Sequence, residues 1–182
     1  MRKAQTGHDL ERSVPWGLHT GNMHVEWLII DGYSLLHRDE EYRSILSRNL
    51  SMAREAALRD LNSLSGILAE RITVVFDGRS AEPGISGEGR GIEVVFSHAG
   101  QTADSCIERM ICDADDATGA LVVTSDRGER ETVMAAGAQS MSCGEFMSWT
   151  RSEIRRLRKR ININRDHGSA SRGTTLGDYF PE

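Results

Sequence analysis

The stretch WLIID at residues 27–31 is a run of apolar residues that ends in an aspartate, and ITVVFD at residues 72–77 repeats this arrangement. Continuous apolar runs of this length are typical of strands that are buried on both faces of a parallel sheet. GIEVVF at 91–96 and ALVVT at 120–124 have the same character, and AQSM at 138–141 predicts a short fifth strand. The sequence therefore contains five candidate strands, and the first two both end in a carboxylate.

Helical patterns fill most of the intervals between these strands. Apolar residues recur at helical spacing through residues 50–69, and Thr102 and Ser142 are N-cap residues at the start of two later patterns. The predicted helices cover residues 50–69, 102–114, 129–136 and 143–160. We expect residues 32–42 to form a loop, and the chain from residue 163 onward to form a flexible tail. Strands that alternate with helices predict an α/β fold, with a central parallel sheet of about five strands and helices on both faces.

The composition indicates a globular chain with one domain. It has 182 residues, of which 38% are hydrophobic and 27% charged, so it can bury a core without disulfide bonds. We expect a flexible N-terminal extension at 1–25, the folded domain at 26–150, and a basic helix end with a flexible tail at 151–182. No apolar run is long enough to span a membrane, and the N-terminus lacks the apolar segment of a secretory signal. We therefore expect a cytoplasmic protein.

The cysteines and histidines show no pattern of a structural metal site. Cys106, Cys112 and Cys143 are an odd set without a CxxC pair, which argues against a disulfide framework and against a zinc knuckle. We expect all three to be small, buried apolar residues.

Carboxylates lie where several of the predicted strands end. Asp31 and Asp77 end the first two strands, Asp126 follows the fourth, and Asp104 lies in the first turn of the helix after the third. In an open parallel sheet, ligands bind beyond the carboxyl ends of the strands, so these four side chains should converge at one edge. Each aspartate alone is better explained as a helix cap or turn residue, but four at corresponding positions favour a functional site.

Converging carboxylates repel one another, and a hard divalent cation such as Mg²⁺ or Mn²⁺ relieves that repulsion. Such a site can bind a phosphodiester and activate a water for attack on phosphorus. Glu108, one helical turn after Asp104, and Glu129, shortly after Asp126, are candidates for a fifth ligand. A solvated surface position is an equally good interpretation of both glutamates.

Several motifs in this order resemble the YacP-type NYN domain, a group within the PIN-like nuclease superfamily. The motifs are DGYS at 31–34, VFD at 75–77, EVVF at 93–96, QTADSCIE at 101–108 and TSD at 124–126. The resemblance covers residues 27–149. It implies a Rossmann-like PIN fold and a divalent-metal-dependent endoribonuclease that acts on RNA, with a possible role in mRNA decay on ribosomes.

The resemblance also carries the family's acidic site onto this chain. It implies that Asp31, Asp77, Asp104 and Asp126 are the catalytic and metal-binding residues. Ser34 replaces the asparagine that is usual in the family, although its hydroxyl can still support a carboxylate or a bound water. After Asp126, Arg127 and Glu129 fit the family pattern, whereas Arg130 replaces a glutamine.

Positive charge for binding RNA is expected in two places. Arg38, Arg79, Arg90 and Arg127 lie in loops on the predicted active edge, where phosphates would need them. Tyr33 is placed either to stack on a base or to pack beneath the following helix. Residues 151–182 carry eight Lys and Arg against four Asp and Glu, whereas residues 1–150 carry 14 against 23. We expect basic residues of this segment to contact RNA or a ribosome, and the alternative is a helix whose charged side chains are only solvated. The residues are Arg155, Arg156, Arg158, Lys159 and Arg160.

Two functions of different classes therefore remain open. The first is a metal-dependent endoribonuclease, and the alternative is a non-catalytic RNA- or ribosome-binding module on a PIN-like scaffold. Ser34 supports the alternative, because it replaces the asparagine that is usual in the family. A phosphatase or phosphotransferase of the DxD type is disfavoured, because Asp31-Gly32-Tyr33 lacks the second aspartate.

Overall fold

The structure, a computed structural model, describes residues 25–78, 92–98 and 100–170, and within the last range the side chains of 158 and 160–170 are not described. The strands are β1 (Val25–Asp31), β2 (Ala69–Phe76), β3 (Ile92–Phe96), β4 (Ala120–Val123) and β5 (Gln139–Met141). The helices are α1 (Gly32–Arg38), α2 (Glu40–Leu46), α3 (Leu50–Leu64), α4 (Ala103–Cys112), α5 (Arg127–Ala135) and α6 (Cys143–Ala170). The predicted α/β fold with a five-stranded parallel sheet is confirmed.

The order of the strands creates a crevice at the carboxyl end of the sheet. The order is β3-β2-β1-β4-β5, and every neighbouring pair is parallel. The chain moves outward from β1 to β3 and then crosses back to β4 on the other side of β1. The connections therefore diverge between β1 and β4, which is the position at which α/β folds of this kind bind ligands.

Alternation along the strands supplies a separate core on each face of the sheet. On one face, Ile29, Val75 and Val122 pack with Ile107 of α4 and Val133 of α5. On the other face, the fully buried Leu28, Ile30 and Phe76 lie on the side where α1 contacts β1, β2 and α3. The sheet is therefore covered on both sides, as its continuous apolar strands predict.

The prediction of a loop at residues 32–42 is wrong, because the chain forms α1 and α2 there. Each of these short helices begins directly after an aspartate whose side chain accepts backbone N–H groups. Asp31 accepts from Ser34, and Asp39 accepts from Glu41 and Tyr42. Two N-caps in succession thus satisfy the donors of helices that are too short to show an apolar period in the sequence.

Two helix ends also differ from expectation. The third helix ends at Leu64 instead of residue 69, since Gly66 adopts a positive φ of 74° and its N–H donates to the carbonyl of Ala69 at the start of β2. The last helix runs to Ala170, so a flexible tail from residue 163 is wrong for residues 163–170. Neither glycine nor proline interrupts residues 145–167, so nothing in that segment breaks the helix.

The chain separates into two compact units, Met1–Cys143 and Gly144–Glu182. In the second unit, Phe146 is buried and packs edge-to-face on Trp149, with the ring centroids 6.0 Å apart. The flexible extension expected at 1–25 lies outside the described residues except for Val25, as do residues 79–91 and the end of the chain from residue 171.

The cysteines differ in exposure, which corrects one expectation. Only Cys143 is buried, whereas Cys106 is half-buried and Cys112 is exposed. Cys112 is the last residue of α4, where the side chain falls outside the apolar stripe formed by Ile107 and Ile111. Among the described residues, no helix combines the length and hydropathy needed to cross a lipid bilayer.

Gly32 is required by close packing against Phe76. A Cβ atom at Gly32 would overlap the ring of Phe76, which is fully buried and has no free space to move into. We expect Gly32→Ala to lower the free energy of unfolding by about 1–3 kcal/mol, the usual cost of overpacking, as measured by urea denaturation. In a Phe76→Leu background, where the side chain is smaller, the same substitution should cost less. Equal costs in both backgrounds would show that the Phe76 ring is not the obstacle.

Candidate metal site at the carboxyl edge of the sheet

Three carboxylates meet in the crevice between β1 and β4. Asp31 is the last residue of β1, Asp104 lies in the first turn of α4, and Glu129 lies in the first turn of α5. One carboxylate oxygen from each lies within 4.8 Å of those of the other two. Asp31 and Glu129 are buried and Asp104 is half-buried, so the cluster lies at the bottom of the crevice. This arrangement offers several oxygen ligands to a single hard cation.

Glu129 is the most unusual member of the cluster. Its side chain is 4% exposed, and neither carboxylate oxygen makes a hydrogen bond of ordinary geometry. The pKa of Glu129 is raised to about 7, chiefly by burial and also by the nearby charges of Asp104, Asp31 and Asp126, although the adjacent Thr124 hydroxyl opposes this. A buried carboxylate without a partner is costly, and a bound cation is the partner that its position fits.

Four neighbouring acidic residues act on the pKa of Asp104. Its pKa is raised by partial burial and then by the charges of Asp31, Asp126, Asp77 and Glu108. All four predicted aspartates therefore lie near one another at this edge of the sheet. They do not all have the same role, since Asp77 and Asp126 lie outside the three-carboxylate cluster and accept backbone N–H groups at the starts of α4 and α5.

Asp126 holds the helix that carries Glu129. It is exposed, it is the N-cap of α5, and its Oδ1 accepts the backbone N–H of Glu129 at 3.0 Å. Its own backbone N–H donates to the hydroxyl of Thr124 at 3.1 Å. Asp126 thus fixes where Glu129 enters the crevice. It lies outside the three-carboxylate cluster but close enough to act on the pKa values of Asp104 and Glu129.

Asp77 holds the helix that carries Asp104. It follows β2, and its Oδ1 accepts the backbone N–H of Ala103, at the start of α4, at 2.5 Å. The same oxygen accepts the hydroxyl of Ser97 at 3.2 Å, and that hydroxyl in turn accepts the N–H of Gly78 at 3.1 Å. Asp77 therefore joins the ends of β2 and β3 to the first turn of α4, and it also lies outside the cluster.

The remaining acidic and hydroxyl candidates lie at the margin of the site. Glu108 is half-buried and close enough to raise the pKa of Asp104, but among the described residues it is not part of the cluster. Ser34 is half-buried, and its backbone N–H, not its hydroxyl, donates to Oδ1 of Asp31 at 3.1 Å. Of the two glutamates weighed from the sequence, the geometry thus brings Glu129 into the cluster and leaves Glu108 beside it.

The predicted cationic residues are dispersed. Arg38 is exposed and acts on the pKa of Cys143, near the acidic cluster, whereas Arg127 is 85% exposed and pairs with Glu131 at 3.0 Å. Arg79 and Arg90 lie outside the described residues. Tyr33 is half-buried, and its ring packs edge-on against Phe76 with the centroids 5.5 Å apart. In the second unit, Arg155, Arg156 and Lys159 are exposed, while the side chains of Arg158 and Arg160 are not described.

Cys143 lies beside the site, although its sequence context predicts only a buried core residue. The pKa of its thiol is raised to about 11, chiefly by burial and also by the charges of Asp31 and Glu129, while the Ser125 side chain opposes this. The thiol therefore remains protonated and adds no charge to the cluster.

The pairing of Asp126 with Glu129 had a sequence signal, because an N-cap aspartate followed three residues later by glutamate is the pattern of a capping box.

Comparisons with known proteins agree with this architecture. A sequence model of the YacP-like NYN domain family matches residues 28–178. A Bacillus subtilis (strain 168) protein, "Uncharacterized protein YacP", is 25% identical over 140 residues, which are 75% of this chain and 82% of that protein. The crystal structure of Rae1 (YacP) from Bacillus subtilis superposes with a TM-score of 0.64 at 23% identity, covering 80% of this chain and 85% of that one. A point variant of Rae1 gives a TM-score of 0.62 at 24% identity, covering 78% and 84% of the two chains.

The raised pKa of Glu129 predicts how stability depends on pH. In the folded, metal-free protein this carboxyl keeps its proton up to about pH 7, whereas in the unfolded chain it loses the proton near its ordinary value. Stability should therefore fall as pH rises through this interval. We expect Glu129→Gln to remove this loss, so that its melting temperature exceeds that of the wild type by more at about pH 8 than at about pH 5, with roughly 2–4 °C for each kcal/mol of difference.

Adding Mn²⁺ should reverse the order of the two proteins, because the cation stabilises the ionised wild-type cluster but gains little from the amide. Glu131→Gln, on the exposed side of the same helix, is the matched control and should follow the wild type. A difference between Glu129→Gln and the wild type that is independent of both pH and Mn²⁺ would contradict this assignment.

Proposed function

This chain belongs to the YacP-like NYN domain family, and on that premise we propose that it is a divalent-metal-dependent endoribonuclease that hydrolyses RNA phosphodiester bonds. Membership of this family of nuclease-like domains gives the general class, an RNA-related nuclease. The observation that carries the more specific proposal is the cluster of Asp31, Asp104 and Glu129 in the ligand-binding crevice of the sheet. Its buried and unpartnered Glu129 is what a catalytic cation site contains before the cation binds.

In this proposal, Asp31, Asp104 and Glu129 hold Mg²⁺ or Mn²⁺. Oxygen-only donors suit these ions, and thiolate does not compete because Cys143 stays protonated. When bound, the cation supplies Lewis-acid polarisation of the phosphoryl group and an activated water. The end of β1 and the first turns of α4 and α5 would supply these three ligands.

Asp77 and Asp126 belong to the same proposed active site but act through the backbone. Asp77 secures the first turn of α4, which presents Asp104, and Asp126 secures the first turn of α5, which presents Glu129. Their carboxylates also add negative field to the cluster and favour cation binding. Glu108 and Ser34 are proposed as supporting residues, since they lie beside Asp104 and Asp31 respectively.

RNA is the proposed substrate, and mRNA on ribosomes in the cytoplasm is the proposed setting. Residues 26–150 are proposed to be the nuclease domain, and 1–25 and 151–182 to be its appended segments. The basic part of α6 has exposed cations that suit the sugar–phosphate backbone, and only Glu153, paired with Arg156 at 2.8 Å, opposes them between residues 151 and 160. The proposed RNA-binding residues are Arg38, Arg79, Arg90, Arg127, Tyr33, Arg155, Arg156, Arg158, Lys159 and Arg160.

Cleavage of an end-labelled single-stranded RNA in the presence of Mn²⁺ tests the proposal. We expect internal cuts by the wild type and no cuts in EDTA. Asp104→Asn should reduce the cleavage rate by at least about a hundredfold, because it removes a cluster oxygen ligand and charge. Asp126→Asn should reduce the rate less, about tenfold, because an asparagine can still cap α5 but adds no charge.

Asp115→Asn is the matched control, since Asp115 is exposed, carries the same charge and lies outside the site. It should cleave at the wild-type rate. Cleavage that persists in Asp104→Asn, or that is insensitive to EDTA, would contradict the metal-nuclease proposal. Binding of RNA without cleavage by any of these proteins would instead support a non-catalytic RNA-binding module.

A further inference from the structure

Arg54 occupies an aromatic cage that no role described so far requires. It lies in the first half of α3, and its guanidinium carbon is 5.3 Å from the ring centroid of Tyr33, 5.3 Å from that of Phe76 and 5.4 Å from that of Phe96. One of its terminal nitrogens donates to the hydroxyl of Tyr33. Arginine over aromatic rings is a favourable cation–π arrangement, and three rings around one guanidinium fix its orientation.

Within the part of the chain that the structure describes, the charge of Arg54 has no counter-ion. An arginine side chain stays protonated in proteins, and no carboxylate of the described residues forms an ion pair with it. Its Nε is buried and has no hydrogen-bond partner within the described part of the chain. Removing part of the water from a cation raises the free energy of the folded protein, and contacts with aromatic rings offset this only in part. A rigidly held, unneutralised arginine is therefore poorly explained by a structural role alone.

The cage lies at the same edge of the sheet as the acidic site. Tyr33 follows Asp31 by two residues, and Phe76 immediately precedes Asp77. Phe96 immediately precedes Ser97, whose hydroxyl donates to Asp77. Each ring therefore comes from a segment that also positions an acidic residue, but the rings lie towards α3, whereas Asp104 and Glu129 lie towards α4 and α5. Arg54 is thus placed beside the cluster, over the ends of β1, β2 and β3.

We propose that Arg54 binds a phosphate of the RNA backbone next to the bond that is cleaved. The inference rests on the proposed ribonuclease function. The Nε of Arg54 is buried, so recognition of a ligand is left to the N–H groups of the two terminal nitrogens. An arginine edge matches two oxygens of a phosphate in a bidentate arrangement. The negative charge of the phosphate also supplies the missing counter-ion, and it lets a polyanion approach an acidic crevice that would otherwise repel it.

No sequence pattern indicates this role for Arg54. Arg54 lies in an amphipathic helix, where an arginine among Met52, Glu55 and Arg59 resembles any solvated position. The cage forms only because β2 and β3 are neighbours in the sheet and α1 brings Tyr33 over them. A purely structural arginine would show the same packing, so the test must separate phosphate binding from stability.

The experiment measures fluorescence anisotropy of a labelled single-stranded RNA oligonucleotide at salt concentrations from about 50 to about 300 mM. All proteins carry Glu129→Gln, so that cleavage does not interfere. Arg54→Met keeps an apolar stem in the cage and removes the charge. We expect its Kd to rise about tenfold at the lowest salt and the slope of log K against log salt to decrease by about 0.7, the value for one lost phosphate contact on a single strand.

Arg59→Met is the matched control, because Arg59 is an exposed arginine on the same helix, and it should leave both Kd and slope unchanged. Arg54→Lys retains a point charge without the bidentate edge, so its slope should equal that of the parent while its Kd rises about threefold. This second variant keeps the inference testable if Arg54→Met does not fold.

An unchanged Kd and slope in Arg54→Met, with only a lower melting temperature, would overturn the phosphate role and leave Arg54 a structural residue. An unchanged Kd in Arg54→Lys would overturn the bidentate contact. Failure of the parent protein itself to bind RNA would overturn the proposed function and this inference with it, and that result is seen before any Arg54 variant is measured.

Discussion

The crowding of carboxylates at one edge of the sheet is the constraint on which the rest of this molecule depends. Asp31, Asp104 and Glu129 place like charges within 4.8 Å of one another, and Glu129 is buried without a hydrogen-bond partner. In a protein without a cation, this arrangement raises pKa values and lowers stability at neutral pH. The cluster lies at the position where folds of this kind bind ligands, and the proposed cation would offset its cost in stability. Family membership and local chemistry thus indicate the same edge of the sheet.

The fold maintains the cluster through hydrogen bonds from other acidic residues. Asp77 and Asp126 accept the backbone N–H groups of Ala103 and Glu129, and in this way they set the first turns of α4 and α5. Loss of either bond would shift a cluster carboxylate without touching the cation. In the proposed site, Asp31, Asp104 and Glu129 would bind the cation, and Asp77 and Asp126 would position the helices that carry two of these ligands. Arg54 adds the opposite charge on the side of the sheet nearest α3.

Much of this could be predicted from sequence, because the signals are local. Continuous apolar runs predicted the five parallel strands, and the four aspartates at strand ends or in the segments that follow the strands predicted an acidic edge. Residues 32–46 were missed as helices, since each helix is only two turns long and depends on the caps Asp31 and Asp39. The sequence also could not rank Glu129 above Glu108, because which side chain enters the crevice depends on the angle at which α5 leaves Asp126. Arg54 was missed because its cage joins three segments that are distant in the chain.

The most direct test of the central claim is an anomalous difference map from crystals grown with Mn²⁺. We expect one manganese peak within coordination distance of carboxylate oxygens of Asp31, Asp104 and Glu129. Asp77 and Asp126 should still accept hydrogen bonds from the backbone of α4 and α5. A peak that lacks Glu129 as a ligand, or no peak at this edge of the sheet, would contradict it.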